Sequence, residues 1–213
     1  MDANLINYYA SRAAHYDDVY RRPEQQADLD DLAVHLQSWL VEKNVLEVAC
    51  GTGWWTEKYF QLASRVVATD ASAVMLELAR RKGAMQGEVE FVEADAFDLP
   101  RGEFNACVAG FWWSHVKRSD QAKFMESVQR SCQANTLLVL FDHCYVEGAS
   151  TPIARTDLEG NTYQMRSLAD GTRQEVLKNF PTDSALRKKL SGYVRDIRIE
   201  RNHYFWMLTC IVR

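Results

Sequence analysis

The segment Val45-Leu-Glu-Val-Ala-Cys-Gly-Thr-Gly53 decides how this chain folds. Its first five residues are mostly apolar, as in a short buried strand, and the two glycines after them favour a tight turn. Glycine adopts the positive φ angles that such turns require, and it lets the backbone approach a ligand closely. The segment therefore predicts a strand that ends in a ligand-binding turn, although glycine-rich turns by themselves occur in many folds.

Strand-like and helix-like segments alternate along the chain after this turn. Apolar runs predict strands at 45–49, 65–69, 89–92, 106–109 and 137–141, and helical patterns predict helices at 56–63, 72–82 and 120–133. Such alternation is typical of a parallel sheet that is covered by helices on both faces. Two further apolar runs, 193–200 and 204–212, flank a tight turn at Asn202-His203 and predict an antiparallel hairpin.

The 213 residues suffice for one domain, in which we expect four parts. Residues 1–42, helical in pattern over most of their length, form an N-terminal helical lid, and the sheet core follows over 43–146. Residues 147–181 are polar, contain three glycines and two prolines, and interrupt the alternation, so we expect an insertion that caps the open end of the sheet. Residues 182–213 supply a closing helix and the hairpin.

The composition excludes several classes of protein. The net charge is −4, and the short basic runs 80–82 and 187–189 end predicted helices, where cations are favourable, so a nucleic-acid partner is not expected. No apolar run approaches the ~20 residues that span a bilayer, and the N-terminus lacks a secretory signal. The five cysteines are widely spaced without a metal-binding pattern. We therefore expect reduced thiols, no metal and a cytoplasmic protein.

Acidic residues close the next two strands. Asp70 ends the second strand, where a carboxylate can accept hydrogen bonds from both hydroxyls of a ribose. Asp95, followed by Ala96, comes after the third strand, where it can accept a hydrogen bond from an adenine amino group. Each aspartate could instead cap the following helix or turn. Because the carboxyl ends of parallel strands meet at one edge, the turn and the two acids predict a ligand that contains a nucleoside.

These segments, together with Ala109-Gly-Phe111 and Ser114-His-Val116, closely resemble the class I methyltransferases that use S-adenosylmethionine (SAM). The resemblance covers roughly residues 5–146 and the closing hairpin. It implies an α/β fold of three layers, Rossmann-like, with N-terminal helices and a cap insertion. The seven-stranded sheet would be mostly parallel, with an antiparallel last strand, in the order 3-2-1-4-5-7-6. It also implies SAM as cofactor and S-adenosylhomocysteine (SAH) as product.

The resemblance implies a set of cofactor contacts. The turn would hold the methionine part of SAM, Asp70 the ribose, and the segment after the third strand the adenine. Glu47 could balance the positive charges of SAM. The N-terminal segment resembles the lid of the family, where an arginine could pair with the methionine carboxylate, although its tyrosines could simply pack on the sheet. The predicted contacts are Tyr8, Arg12, Tyr16, Glu47, Ala49 (a common variant of the family's glycine), Gly51, Gly53, Asp70, Ala71, Met75, Asp95, Ala96 and Phe111.

Candidate residues for the acceptor side follow the fourth and fifth strands. His115 could remove a proton from an oxygen or nitrogen acceptor, or it could order its loop by hydrogen bonding. Asp142 and His143 are further catalytic candidates. An aromatic acceptor pocket would use Trp112, Trp113 and Tyr145, which could equally be core residues.

We therefore expect methyl transfer to oxygen or nitrogen of a small-molecule acceptor, carboxylates included, by in-line displacement. A partner protein that binds SAM or a nucleoside without catalysis is an alternative. An NAD(P)-dependent oxidoreductase is disfavoured, because the G-x-G-x-x-G fingerprint would need glycine where Thr56 stands. Methylation of nucleic acid or protein is disfavoured by the acidic charge balance and the lack of a basic stripe.

Overall fold

A computed structural model describes residues 8, 9, 13–167 and 171–213 of the chain. Ten strands lie within these residues: β1 (Asn44–Val48), β2 (Arg65–Asp70), β3 (Val89–Glu93), β4 (Ala106–Gly110), β5 (Leu137–His143), β6 (Ile153–Thr156), β7 (Thr162–Ser167), β8 (Arg173–Leu177), β9 (Val194–Arg201) and β10 (Phe205–Val212). Seven of them form one sheet in the order β3-β2-β1-β4-β5-β10-β9. The predicted strand order is confirmed, with β9 and β10 as the sixth and seventh strands of this sheet.

Hydrogen-bond registers fix the strand directions. Strands β1 to β5 pair in parallel, whereas β10 is antiparallel to both β5 and β9. The carboxyl ends of the five parallel strands therefore share one edge of the sheet, which is where an open α/β sheet binds its ligands.

Five α-helices are described: α1 (Gln26–Leu40), α2 (Thr56–Tyr59), α3 (Ala73–Arg80), α4 (Gln121–Ser131) and α5 (Asp183–Leu190). Short 3-10 helices cover 13–21, 23–25, 83–85 and 113–115. The helix predicted for 56–63 ends early, because Leu62 N donates back to Tyr59 O and the chain turns into β2. The continuous helical pattern expected before residue 42 is also interrupted, since Pro23 begins a separate 3-10 turn ahead of α1.

Alternate residues of the central strands enter two separate cores. Val45 packs in the core beneath α1 and α2, whereas its neighbour Leu46 packs in the core beneath α4 and α5. Both faces of the sheet are therefore covered, which produces the three-layer architecture. None of the described helices is long and apolar enough to cross a membrane.

The insertion folds as a second, three-stranded antiparallel sheet in the order β6-β7-β8. It is fastened to the loop after β4, because Asn179 N donates to Ser114 O at 2.9 Å and the Asn179 side chain donates to Val116 O at 3.2 Å. A second link runs from Arg118 N to Asn161 Oδ1 at 2.9 Å. These contacts hold the insertion beside the carboxyl edge of the main sheet.

Candidate active site

The turn after β1 depends on left-handed backbone at three positions. Ala49, Gly51 and Gly53 have φ angles of 55°, 58° and 71°. A side chain at Gly53 would also meet the Met85 methyl at 3.0 Å and the Ala79 methyl at 3.2 Å. Gly53 is thus required both by its backbone angle and by the close packing of the turn against α3.

The Asp70 carboxylate ties this turn to the start of α3. Its Oδ2 accepts from Gly51 N at 2.9 Å, and its Oδ1 accepts from Ser72 N at 2.8 Å. Burial raises the pKa of Asp70 despite these backbone donors. The N-cap of α3 is Ser72, whose hydroxyl accepts from Met75 N. Ala71 is a third backbone donor to Asp70, and the carboxylate still keeps capacity to accept a hydrogen bond from a ligand.

A small cavity of about 60 Å³ opens at this turn. Its described lining contains six of the predicted cofactor residues, Tyr16, Ala49, Gly51, Asp70, Met75 and Phe111. It also contains Tyr9, Ser72, Gly110, Trp112 and His115. Trp112 belongs to the same wall, and its Nε1 is buried without a hydrogen-bond partner. A ligand that carries both donors and acceptors fits such a wall.

Other predicted cofactor residues do not line this cavity. The Glu47 carboxylate is turned towards α2, where it accepts from Thr56 Oγ1 at 2.6 Å and from Tyr59 OH at 2.7 Å, and burial raises its pKa to about 7. Asp95 accepts from Phe97 N and so shapes its own loop. The remaining members of the set that line neither described cavity are Tyr8, Gly53, Ala71 and Ala96. Arg12 falls outside the described residues.

The N-terminal segment is fastened across the turn by Asp17. Its carboxylate accepts from Thr52 Oγ1 at 2.5 Å and from Lys82 Nζ at 3.1 Å. These contacts hold Tyr16 over the turn, with its ring 3.7 Å from the Cβ position of Gly51. The 3-10 segment 13–21 thus covers the small cavity.

A larger cavity of about 430 Å³ lies between the N-terminal segment, the insertion and the ends of β4 and β5. Arg22, Arg166 and Lys178 supply cations to its wall, and no aspartate or glutamate is among its described lining residues. The two cavities share four wall residues, Tyr9, Tyr16, Phe111 and His115. They therefore adjoin, with His115 at the boundary.

His115 is held by hydrogen bonds at both ring nitrogens. Nδ1 lies 2.7 Å from Leu177 O, which can only accept, so Nδ1 carries the proton and Nε2 accepts from Tyr9 OH at 2.8 Å. Burial and the nearby Lys178 cation hold the pKa of His115 well below its ordinary value. His115 is consequently neutral near pH 7, and the Tyr9 hydroxyl occupies its lone pair.

Asp142 is fully buried and binds Lys178 of the insertion. Lys178 Nζ donates to Asp142 Oδ1 at 2.8 Å and to Ser114 Oγ at 2.7 Å. Burial by itself raises the pKa of Asp142, but Lys178 and His143 bring it well below the usual range. Burial, reinforced by Lys178, lowers the pKa of His143 to about 4. Asp142 therefore holds Lys178 in position and does not line the larger cavity. Neutral His143 does line it.

The three predicted acceptor aromatics do not line the larger cavity. Phe111 has a φ of 55°, and the 3-10 helix after it directs His115 to the cavities but buries Trp113 in the core against Phe124. Trp112 lines the small cavity instead. Tyr145 is 42% exposed and packs on Phe180, which itself lines the larger cavity.

Comparison with known proteins identifies the family. Residues 45–135 match the family described as a methyltransferase domain. An uncharacterized methyltransferase from Anoxybacillus flavithermus is 32% identical over 220 residues, and the match covers 99% of each chain. The chain belongs to the class I SAM-dependent methyltransferases.

Solved structures agree with this assignment. A structure described as a DhpI–SAH complex is 28% identical with a TM-score of 0.80, covering 97% of this methyltransferase and 94% of that chain. A DhpI–SAM–HEP complex is 27% identical, also with a TM-score of 0.80, and covers 97% and 95%. SAM is thus the cofactor of this methyltransferase and SAH its product.

A demethylmenaquinone methyltransferase from Clavibacter sepedonicus is 45% identical over 153 residues, which cover 71% of this methyltransferase. The match spans 59% of the length of that relative.

Several residues that line the larger cavity of this methyltransferase have no recognisable signal in the sequence. Arg166 and Lys178 belong to the insertion, where no motif surrounds them. Gln164 and Arg166 are two residues apart on β7 and therefore face the same side, which is a pattern visible only once the strand is known. Tyr9 lines both cavities, whereas the sequence comparison with the family pointed to its neighbour Tyr8.

Proposed function

We propose that this methyltransferase transfers the methyl group of SAM to an oxygen or nitrogen atom of a small-molecule acceptor by in-line displacement. The main support for this proposal is that the two cavities share a wall. A donor held at the turn after β1 and an acceptor held in the larger cavity would meet at Tyr9, Tyr16, Phe111 and His115.

On the donor side, the turn at Ala49–Gly53 would receive the methionine part of SAM. Asp70 would accept hydrogen bonds from the ribose hydroxyls, since it lines the cavity and its backbone donors leave the carboxylate further acceptor capacity. Met75, buried on the cavity wall, would pack against the adenine. Tyr16 and Phe111 would close the site from the acceptor side and exclude water.

On the acceptor side, a volume of about 430 Å³ suits a small ligand. Bound SAM supplies a methyl group already activated by the sulfonium charge. The contribution of the chain is therefore to align the acceptor with that methyl group, because positioning alone can supply much of the rate. His115 and Phe111 would set this alignment at the boundary of the two cavities.

A quinone acceptor is a second candidate, because the Clavibacter relative bears the name demethylmenaquinone methyltransferase. The cations on the wall of the larger cavity favour a polar acceptor over a large apolar one.

The test is an assay of purified protein with methyl-labelled SAM against small acids, phenols, amines and a quinol, preceded by SAM titration in a calorimeter. We expect saturable SAM binding and label transfer to at least one small acceptor. Folded protein that binds no SAM would contradict the proposal. SAM binding without transfer to any acceptor would instead favour the non-catalytic binding protein.

A further inference from the structure

We infer that the acceptor is a small oxyanion, bound by Arg166, and that the negatively charged oxygen itself receives the methyl group. The inference rests on the proposed function and narrows it to one class of acceptor. Carboxylates and phosphorus oxyanions share this chemistry.

Arg166 carries the first part of the argument. Its Nη2 donates to Gln164 Oε1 at 2.9 Å, but its Nε is buried and lacks a hydrogen-bond partner. Within 13–167 and 171–213, no carboxylate forms an ion pair with this guanidinium. A buried donor on a cation is costly when it is left unpaired. An oxyanion in the cavity, which Arg166 lines, would supply the missing counter-charge, and guanidinium groups bind carboxylate and phosphate well.

The guanidinium of Arg166 remains charged in this setting. Burial acts to lower its pKa, but the neighbouring Tyr9 and Tyr8 raise the pKa overall. These tyrosines belong to the N-terminal segment, so an anion bound at Arg166 would lie close to the boundary with the donor cavity, where Tyr9 contacts His115.

The charge distribution of the wall points the same way. Arg22 adds a second cation to Arg166, and the described wall has no carboxylate. Lys178 also lines the cavity, but Asp142 neutralises its charge, and Asp142, Ser114 and His143 all contact its Nζ. The field inside the larger cavity is therefore positive, which attracts an anion and disfavours a cationic amine.

The described wall of the larger cavity contains no histidine or aspartate suited to act as a general base. The lone pair of His115 is occupied by Tyr9 OH, the pKa of His143 is lowered to about 4, and Asp142 is ionised and bound to Lys178. An effective general base has a pKa near the working pH, and none of these groups meets that condition. An acceptor that is already an anion has no proton to lose.

The proposed step balances without a base. A lone pair of the acceptor oxygen forms the bond to the methyl carbon, and the bond between that carbon and sulfur breaks with its electron pair on sulfur. The acceptor loses one negative charge and the sulfonium loses its positive charge. The products are a methyl ester of the acid and SAH.

The first experiment measures SAH formation with matched pairs of acceptors. Short-chain carboxylic acids are paired with their primary amides, and phosphate monoesters and alkylphosphonic acids with the parent alcohols. We expect turnover only with the acid of each pair. Whether the carboxylic acids or the phosphorus acids react identifies which of the two classes is the acceptor. Transfer to a neutral alcohol, phenol, amine or quinol, with no transfer to any acid, would overturn the inference while leaving the proposed function intact.

The second experiment does not need the natural acceptor. Inorganic phosphate and acetate are titrated into the SAH-bound protein, wild type and the Arg166→Gln variant, with intrinsic fluorescence as the readout. The control is Arg173→Gln, which removes an exposed arginine of the same insertion that does not line the cavity. We expect at least ~10-fold weaker anion binding in Arg166→Gln alone.

Unchanged SAH affinity in Arg166→Gln shows that the variant is folded and that the donor site is intact. Absence of saturable anion binding to the wild type, or an equal loss in the Arg173→Gln control, would refute the role of Arg166.

Discussion

Lys178 Nζ lies 2.8 Å from Asp142 Oδ1, and both side chains are almost completely buried. The two residues belong to different parts of the fold, since Lys178 follows β8 of the insertion and Asp142 lies in β5 of the main sheet. The ion pair thus couples the wall of the larger cavity to the core that positions it.

Replacement of Asp142 by Asn should destabilise the protein by about 3–5 kcal/mol, because it leaves the Lys178 charge buried without a counter-ion. Urea unfolding at pH 7 measures the effect. The matched control is Glu175→Gln, which breaks an ion pair with Arg155 at the surface. Because solvent screens this pair, its loss should destabilise the protein far less than the loss of Asp142. Equal losses of unfolding free energy in the two variants would show that burial does not make the Asp142–Lys178 pair more important for stability than the exposed pair.

Replacement of Glu47 by Gln should stabilise the protein more at pH 8 than at pH 5. Burial raises the folded-state pKa of Glu47 to about 7, so its contribution to stability is fully present below the unfolded pKa and is lost as the pH rises through 7. Glutamine keeps an acceptor for Thr56 and Tyr59 and never ionises. The measurement is the free energy of unfolding of wild type and variant at both pH values.

The same variant tests whether Glu47 contacts the cofactor. Because its carboxylate faces α2 and lines neither described cavity, SAM affinity should change less than about twofold. A loss of tenfold or more in calorimetry would show that the charge of Glu47 matters to the donor site.

Replacement of Asp70 by Ala should weaken SAM binding at least ~10-fold, because a hydrogen bond to a charged group contributes about 1.5–3 kcal/mol. Asp95→Ala is the comparison, since Asp95 bonds within its own loop and lines neither described cavity. We expect a smaller effect there. Equal affinities of Asp70→Ala and wild type would remove Asp70 from the donor site.

Replacement of His115 by Ala should reduce turnover at least ~10-fold and should reduce it more than it weakens SAM binding. The variant loses the contacts to Leu177 O and Tyr9 OH that fix the boundary of the two cavities. Because His115 is neutral and its lone pair is occupied, the wild-type rate should show no titration near pH 6.5. A rate that follows a group of that pKa, and loses this dependence in the variant, would instead make His115 a general base.

The sheet and the donor turn could be predicted from the sequence because both faces of the central strands are apolar and the glycines follow β1 directly. Strand β6 illustrates the opposite case. All four residues of β6 are exposed, so the sequence has no alternation of apolar and polar residues from which this strand could be predicted.

His115 and His143 were predicted from their places after β4 and β5, but the residues that the insertion adds to the larger cavity could not be predicted, for a related reason. Arg166 and Lys178 approach His115 only through the folding of the insertion onto the loop after β4, and no local pattern encodes that contact. Trp112 and Trp113 were predicted as acceptor contacts from their place after β4. The positive φ of Phe111 redirects both, and the sequence around a phenylalanine gives little sign of such an angle.

The origin of the wall residues has a consequence for how this protein can diversify. Arg166 and Lys178 come from the insertion, whereas Gly51 and Asp70 come from the main sheet. On the proposed function, substitutions within the 35 residues of 147–181 would exchange one acceptor for another while Gly51 and Asp70 of the donor site stay unchanged. Two genes with nearly the same sheet core can on this account diverge in the compound they modify, and the insertion is the part to compare when their substrates are sorted.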